Sequence, residues 1–138
     1  MATSLKEQPL KRAPVYRNIH VSDLTTYRLP AAGWASILHR ISGALLFVAG
    51  IPLLLWFVQR SLASPEGFAA AMAPFTTVLG RIVLLVLAWA YVYHLFAGLR
   101  HLALDLHVGI RLQPARSSAA AVLVLSLLVA LIVAVRLW

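Results

Sequence analysis

The chain contains no cysteine. Disulfides, thiolate metal sites and iron–sulfur ligation are thereby excluded from it, so any redox centre held here falls to histidine. No flavin fingerprint and no dicarboxylate site is visible either. Acidic residues are nearly as scarce, with four Asp and Glu against twelve Lys and Arg, for a net charge of +8. Polar surface of every kind is short, since 62% of the residues are apolar and the mean hydropathy is +0.87. A soluble domain of 138 residues with that composition could not cover its own core in water.

What is abundant falls into three apolar blocks, Ile41 to Val58, Ile82 to Leu99 and Ser117 to Val135, each free of Asp, Glu, Lys and Arg. A hydrocarbon core takes about 20 residues of helix, so each block spans once its flanks are added. The alternating polarity of a transmembrane barrel strand is missing. The expected fold is therefore an all-α membrane protein with three transmembrane helices, over about 34–59, 76–104 and 117–137. Residues 1–33 form an N-terminal segment at the cytoplasmic surface or interface, with no apolar run of the kind a secretory signal needs. No repeat or second domain is visible.

The basic residues set the expected orientation. Nine of the twelve (Lys6, Lys11, Arg12, Arg17, Arg28, Arg40, Arg100, Arg111 and Arg116) fall on the side of the N-terminus and the second loop, against Arg60, Arg81 and Arg136 on the other. Basic loops stay inside, which predicts a cytoplasmic N-terminus and a C-terminus on the opposite side. Because these charges flank spans instead of forming a soluble patch, membrane lipid is the expected neighbour and nucleic acid is not. Ser64-Pro65-Glu66-Gly67 reads as a turn or helix start after the first span, and Gly109 with Pro114 separates the second from the third.

Two clusters of polar residues lie at membrane depth, where each costs several kcal/mol unless paired or solvated. The first places Ser36 and Arg40 four residues apart on one helix face, with His39 beside them and Ser42-Gly43 following. Arg40 has two readings, as an anchor that snorkels to headgroups or as a ligand-binding cation. The second cluster runs from His94 through Gly98, Arg100 and His101 to Asp105. His94 follows twelve residues without a formal charge and therefore needs a partner. A buried neutral imidazole suits haem iron, Gly98 removes bulk where a flat ligand would approach, and Arg or His nearby could neutralise propionates. The alternative is a histidine hydrogen-bonded to a neighbouring helix. Asp105 could pair with His101 or Arg100. His20 and His107 read as solvated loop residues. Trp34, Trp56, Trp89, Tyr91, Tyr93 and Trp138 read in part as an interfacial belt, with Trp89 and Tyr91 deep for that role.

With both clusters in order on the first two spans, the chain resembles the cytochrome b556 subunits of succinate dehydrogenase, the larger of the two small membrane anchors of respiratory complex II. The resemblance rests on Ser36, His39, Arg40, Ser42 and Gly43 in one motif and on His94, Gly98, Arg100, His101 and Asp105 in the other. Departures are Arg12-Ala13-Pro14 in the tail, Leu104 before the Asp, and His107 where a small residue is usual.

The resemblance implies a subunit that works with a flavoprotein, an iron–sulfur subunit and a second small anchor, in electron transfer from succinate to quinone within the respiratory chain and the tricarboxylic acid cycle. It implies a haem b shared between the anchors, with His94 as the axial ligand to its iron and the partner anchor supplying the other His. Ser36 and Arg40 would line the ubiquinone site, and His39, Arg100 and His101 would lie near the haem propionates or the pocket rim. Such a chain is part of an enzyme without itself oxidising succinate. Its expected place is the bacterial inner membrane, with the mitochondrial inner membrane as the alternative. The rival functions are the anchor of a quinol:fumarate reductase and a cofactor-free structural membrane subunit.

Overall fold

The computed structural model describes residues 29–138, so most of the expected N-terminal segment, with Arg12, Pro14 and His20, lies outside the described residues. Every element among the described residues is helical: α1 (Ala31–Leu45), a π-helical turn (Leu46–Gly50), α2 (Ile51–Ala63), α3 (Pro65–Thr76), α4 (Val78–Asp105) and α5 (Leu112–Leu137). Three continuous rods are long and apolar enough to cross a membrane: Ala31–Ala63, Val78–Asp105 and Leu112–Leu137.

The π turn inside the first rod has a local cause. Pro52 has no N–H to return to the preceding turn, and its ring presses on the carbonyl four residues back. Immediately before it, the Ile51 N–H reaches the Leu46 carbonyl five residues away, which widens the ladder where an α-turn would be strained.

The segment after the first rod is a helix in its own right. The Ser64 hydroxyl accepts the Gly67 N–H at 3.0 Å, and Pro65 takes the first helical position, where a missing N–H costs nothing. The Glu66 carboxyl there is held below its ordinary range by its own backbone N–H and by the Ser64 hydroxyl. At the far end of α3, Thr77 caps α4 by accepting the Gly80 N–H at 3.1 Å. A Cβ on Gly80 would run into the Pro74 carbonyl, so only glycine lets the chain turn from α3 into α4 this tightly. α5 begins at Leu112, ahead of the uncharged block, because Pro114 in its first turn gives up an N–H that has no intrahelical partner anyway.

α5 packs along α4 and also meets α1, while α1 packs on α4. The contacts are made by small residues: Ala35, Ser42, Ala90, Ala97, Ala119 and Ser126 are at most 1% exposed, whereas most large apolar side chains face outward. Lipid tails are as apolar as leucine, so close backbone approach is what holds such helices together. Tyr93 is the exception in size. It is fully buried and donates its hydroxyl to the Ala35 carbonyl at 2.9 Å, so it bridges the first two rods instead of joining the interfacial belt expected for it.

α4 ends in a pair of reversed bonds, His107 N–H to the Leu104 carbonyl and Val108 N–H to the Ala103 carbonyl, both at 2.9 Å. This is the Schellman arrangement, which puts the residue after the cap in the left-handed region, and here that residue is His107 at φ 61°. The departure noted at this position therefore carries a backbone penalty.

Two outcomes are expected. Tyr93→Phe should lower the thermal stability of the purified protein by about 0.6–1 kcal/mol through loss of one buried interhelical bond, and Tyr93→Ala by about 3–5 kcal/mol through the cavity as well. His107→Gly should raise stability by about 0.5–1 kcal/mol, because glycine adopts the left-handed cap without steric cost. Thermal unfolding in detergent reads both.

Candidate functional site

Three imidazoles meet at the end of the molecule formed by the start of α1, the end of α4 and the start of α5. The His39 and His94 rings stack with centroids 4.2 Å apart at 20°, and His101 lies 5.0 Å from His39. His94 stands eleven residues before the last residue of α4, roughly 16 Å of helix. No group of three or more His, Cys, Asp or Glu among the described residues is arranged to hold a bare metal ion. The cluster therefore offers imidazoles singly, which suits an iron whose other positions a macrocycle fills.

The protonation of His94 follows from its neighbours. Its Nδ1 lies 3.1 Å from the His39 carbonyl oxygen and 3.2 Å from Ser42 Oγ, while the Ser42 hydroxyl donates to that same carbonyl at 2.9 Å. A carbonyl can only accept, so Nδ1 carries the hydrogen and Nε2 keeps the lone pair. Among the described residues Nε2 has no hydrogen-bond partner. This is the tautomer and the orientation that a metal-ligating histidine takes, with one nitrogen tied to the protein and the other presented to the metal.

Two glycines shape the space around the rings. A Cβ on Gly43 would stand 2.8 Å from His94 Cε1, so the imidazole lies against α1 only because that position is bare. A Cβ on Gly98 would stand 3.7 Å from His39 Nε2. That Nε2 atom is buried and has no hydrogen-bond partner. A buried donor or acceptor left in this state costs about 1–3 kcal/mol, so an acidic or polar group from a bound ligand would relieve it. The free lone pair on His94, the bare Gly98 and the orphaned His39 Nε2 together fit a haem with its propionates.

The other expected site residues fall as follows. Ser36 is half-buried on α1, and Arg40 is exposed one turn further on. His101 is half-buried beside His39, and Asp105 closes α4 in an exposed position. Arg100 is drawn to the third rod: its Nε donates to Ser118 Oγ at 3.1 Å and its Nη2 to the Ala115 carbonyl at 3.2 Å. That pair of bonds ties the start of α5 to the end of α4. The partners Ser118 and Ala115 had no signal in the sequence. Ser42 had one, since a hydroxyl three residues after His39 shares its helix face, but spacing along one helix does not reveal a bond to another.

Comparison with known proteins identifies the family. The family model for the succinate dehydrogenase/fumarate reductase transmembrane subunit matches residues 14–133. A succinate dehydrogenase cytochrome b556 subunit of Paracoccus denitrificans is 41% identical over 109 residues, 79% of this chain and 83% of that protein. One from Coxiella burnetii is 37% identical over 118 residues, 84% of this chain and 93% of that protein. One from Rickettsia bellii is 30% identical over 105 residues, 76% of this chain and 81% of that protein. Three membrane-length helices, a histidine cluster at one end of them, and this extent of similarity have one reading: the chain belongs to the succinate dehydrogenase/fumarate reductase transmembrane subunit family.

Proposed function

We propose that this chain anchors a succinate:ubiquinone oxidoreductase in the membrane, supplies one axial ligand to a haem b and contributes part of the quinone site. The observation that carries the reading is the state of His94, held through Nδ1 by the His39 carbonyl and Ser42 so that Nε2 is free at membrane depth. A cofactor-free structural subunit has no use for such a residue. That the relatives are succinate dehydrogenase cytochrome b556 subunits favours succinate oxidation over fumarate reduction, and a b-type haem.

When bound, the haem supplies a one-electron carrier inside the hydrocarbon. His94 would ligate its iron, and His39 and His101 would lie near its propionates. A second small anchor would supply the haem's other histidine, and the electrons would come from an iron–sulfur subunit fed by a flavoprotein. For the quinone, the Ser36 hydroxyl can donate to a carbonyl oxygen, and Arg40 can stabilise the negative charge that develops there as electrons arrive. Arg100 is already committed to α5, so its part at the pocket rim is to hold that end of the bundle together. The split of basic residues supports placing this end at the cytoplasmic face of the bacterial inner membrane, where the protons that quinone reduction consumes are close at hand.

The intact complex tests both roles. His94→Ala should abolish the reduced-minus-oxidised b-type absorption, and an unchanged spectrum at full occupancy would sink the ligand assignment. Arg40→Ala should slow ubiquinone reduction on the order of 100-fold while succinate oxidation with a soluble acceptor persists. Equal loss of both activities would point to failed assembly and remove the support for a quinone role.

A further inference from the structure

We propose that Ser42 is a positioning residue that sets the electron-donating strength and the ring orientation of His94. The inference rests on the haem-ligand reading of His94 and adds a second residue to it. Ser42 is fully buried and touches no aqueous surface, so its hydroxyl does not serve solubility. A serine inside a helix commonly satisfies itself on a carbonyl of its own preceding turn, and Ser42 does so on His39 at 2.9 Å. What distinguishes it is that the chosen carbonyl also faces His94 Nδ1, at 3.1 Å, and that the serine oxygen lies 3.2 Å from the same nitrogen.

The His94 N–H is therefore shared between two acceptors, both on α1. Donating its own hydrogen makes the serine oxygen a better acceptor, so the two bonds reinforce each other. An imidazole whose N–H is pulled from two sides carries more negative charge on the ring and is a stronger ligand, which favours the oxidised iron. Two points of attachment also stop the ring from turning about its bond to Cβ, and Gly43 lets it sit close enough for both to form.

The test uses the assembled complex with Ser42→Ala and Ser42→Thr, read by haem content, midpoint potential and the low-spin electron paramagnetic resonance signal of the oxidised haem. Ser42→Ala should move the midpoint upward and shift the low-spin signal, while Ser42→Thr, which keeps the hydroxyl, should follow the wild type. Loss of haem in Ser42→Ala with retention in Ser42→Thr supports the same role. An alanine variant indistinguishable from wild type, one with a lowered midpoint, or a threonine variant displaced as far as the alanine one overturns it. Retention of b-type absorption in His94→Ala would instead overturn the ligand reading on which it stands, so the two failures are distinct.

Discussion

The bilayer interior contains no water to take up a hydrogen bond, so each polar group placed there must be answered from within the protein. Most serine and threonine hydroxyls among the described residues meet that demand cheaply. Thr76, Ser117 and Ser126 all bond to a carbonyl three or four residues earlier on their own helix, which commits no second element. Among the described residues, the side chains that reach across are few, and they concentrate at one end. His94 meets His39 and Ser42, Tyr93 meets Ala35, and Arg100 meets Ser118 and Ala115. The first of these joins α4 to α1, the second does so again one turn away, and the third joins α4 to α5. The bundle is thus tied by polar cross-links where the histidines lie. At the opposite end, α2, α3 and α4 enclose an open apolar groove of about 630 Å³ between Gly50, Phe57, Phe75 and Tyr91.

This division decides how precisely the site can be held. Dispersion contacts between small side chains permit helices to slide by fractions of an ångström, whereas a hydrogen bond near 3 Å loses its strength steeply with misalignment. Tyr93 sits next to His94 in α4 and fixes that helix to the turn of α1 that precedes His39. The imidazole is then locked by the turn that follows. Ala97, one turn beyond Tyr93, is nearly fully buried in the cluster with Val122 of α5. A larger residue there would lever α4 away and lengthen the bonds on which His94 depends.

The spans were legible because a charge-free apolar block of this length has one stable setting, and His94 was legible because an ionisable group inside such a block is expensive. What the sequence hid was local geometry. Pro52 announces a disturbance in the first rod but not that it takes the form of a π turn. The twelve residues of α3 are too short and too interrupted by proline to stand out from a loop. Tyr93 looks like its neighbours Trp89 and Tyr91, and only the helix rotation separates a buried bridge from Tyr91, which is 61% exposed. Arg100 sits between two haem-site candidates in sequence, yet its direction on the helix turns it to α5. His107 stands in a left-handed cap that its residue type resists, and the reversed bonds of the α4 terminus hold it there.

The chemistry of the histidine cluster turns on an asymmetry within one ring. A histidine kept for structure in a membrane bundle would be expected to use both nitrogens, because either one left alone in hydrocarbon costs free energy. His94 is bonded at Nδ1, to a carbonyl that fixes the tautomer, and its basic Nε2 has no protein partner among the described residues. The neighbouring His39 has a buried, unanswered Nε2 of its own. Two such atoms on stacked rings, beside a glycine that keeps the adjacent space bare, offer a bound group two points of attachment. Under the function proposed above, the iron of a haem would answer the first and a propionate the second, whereas a quinone or a lipid headgroup offers no iron to the first.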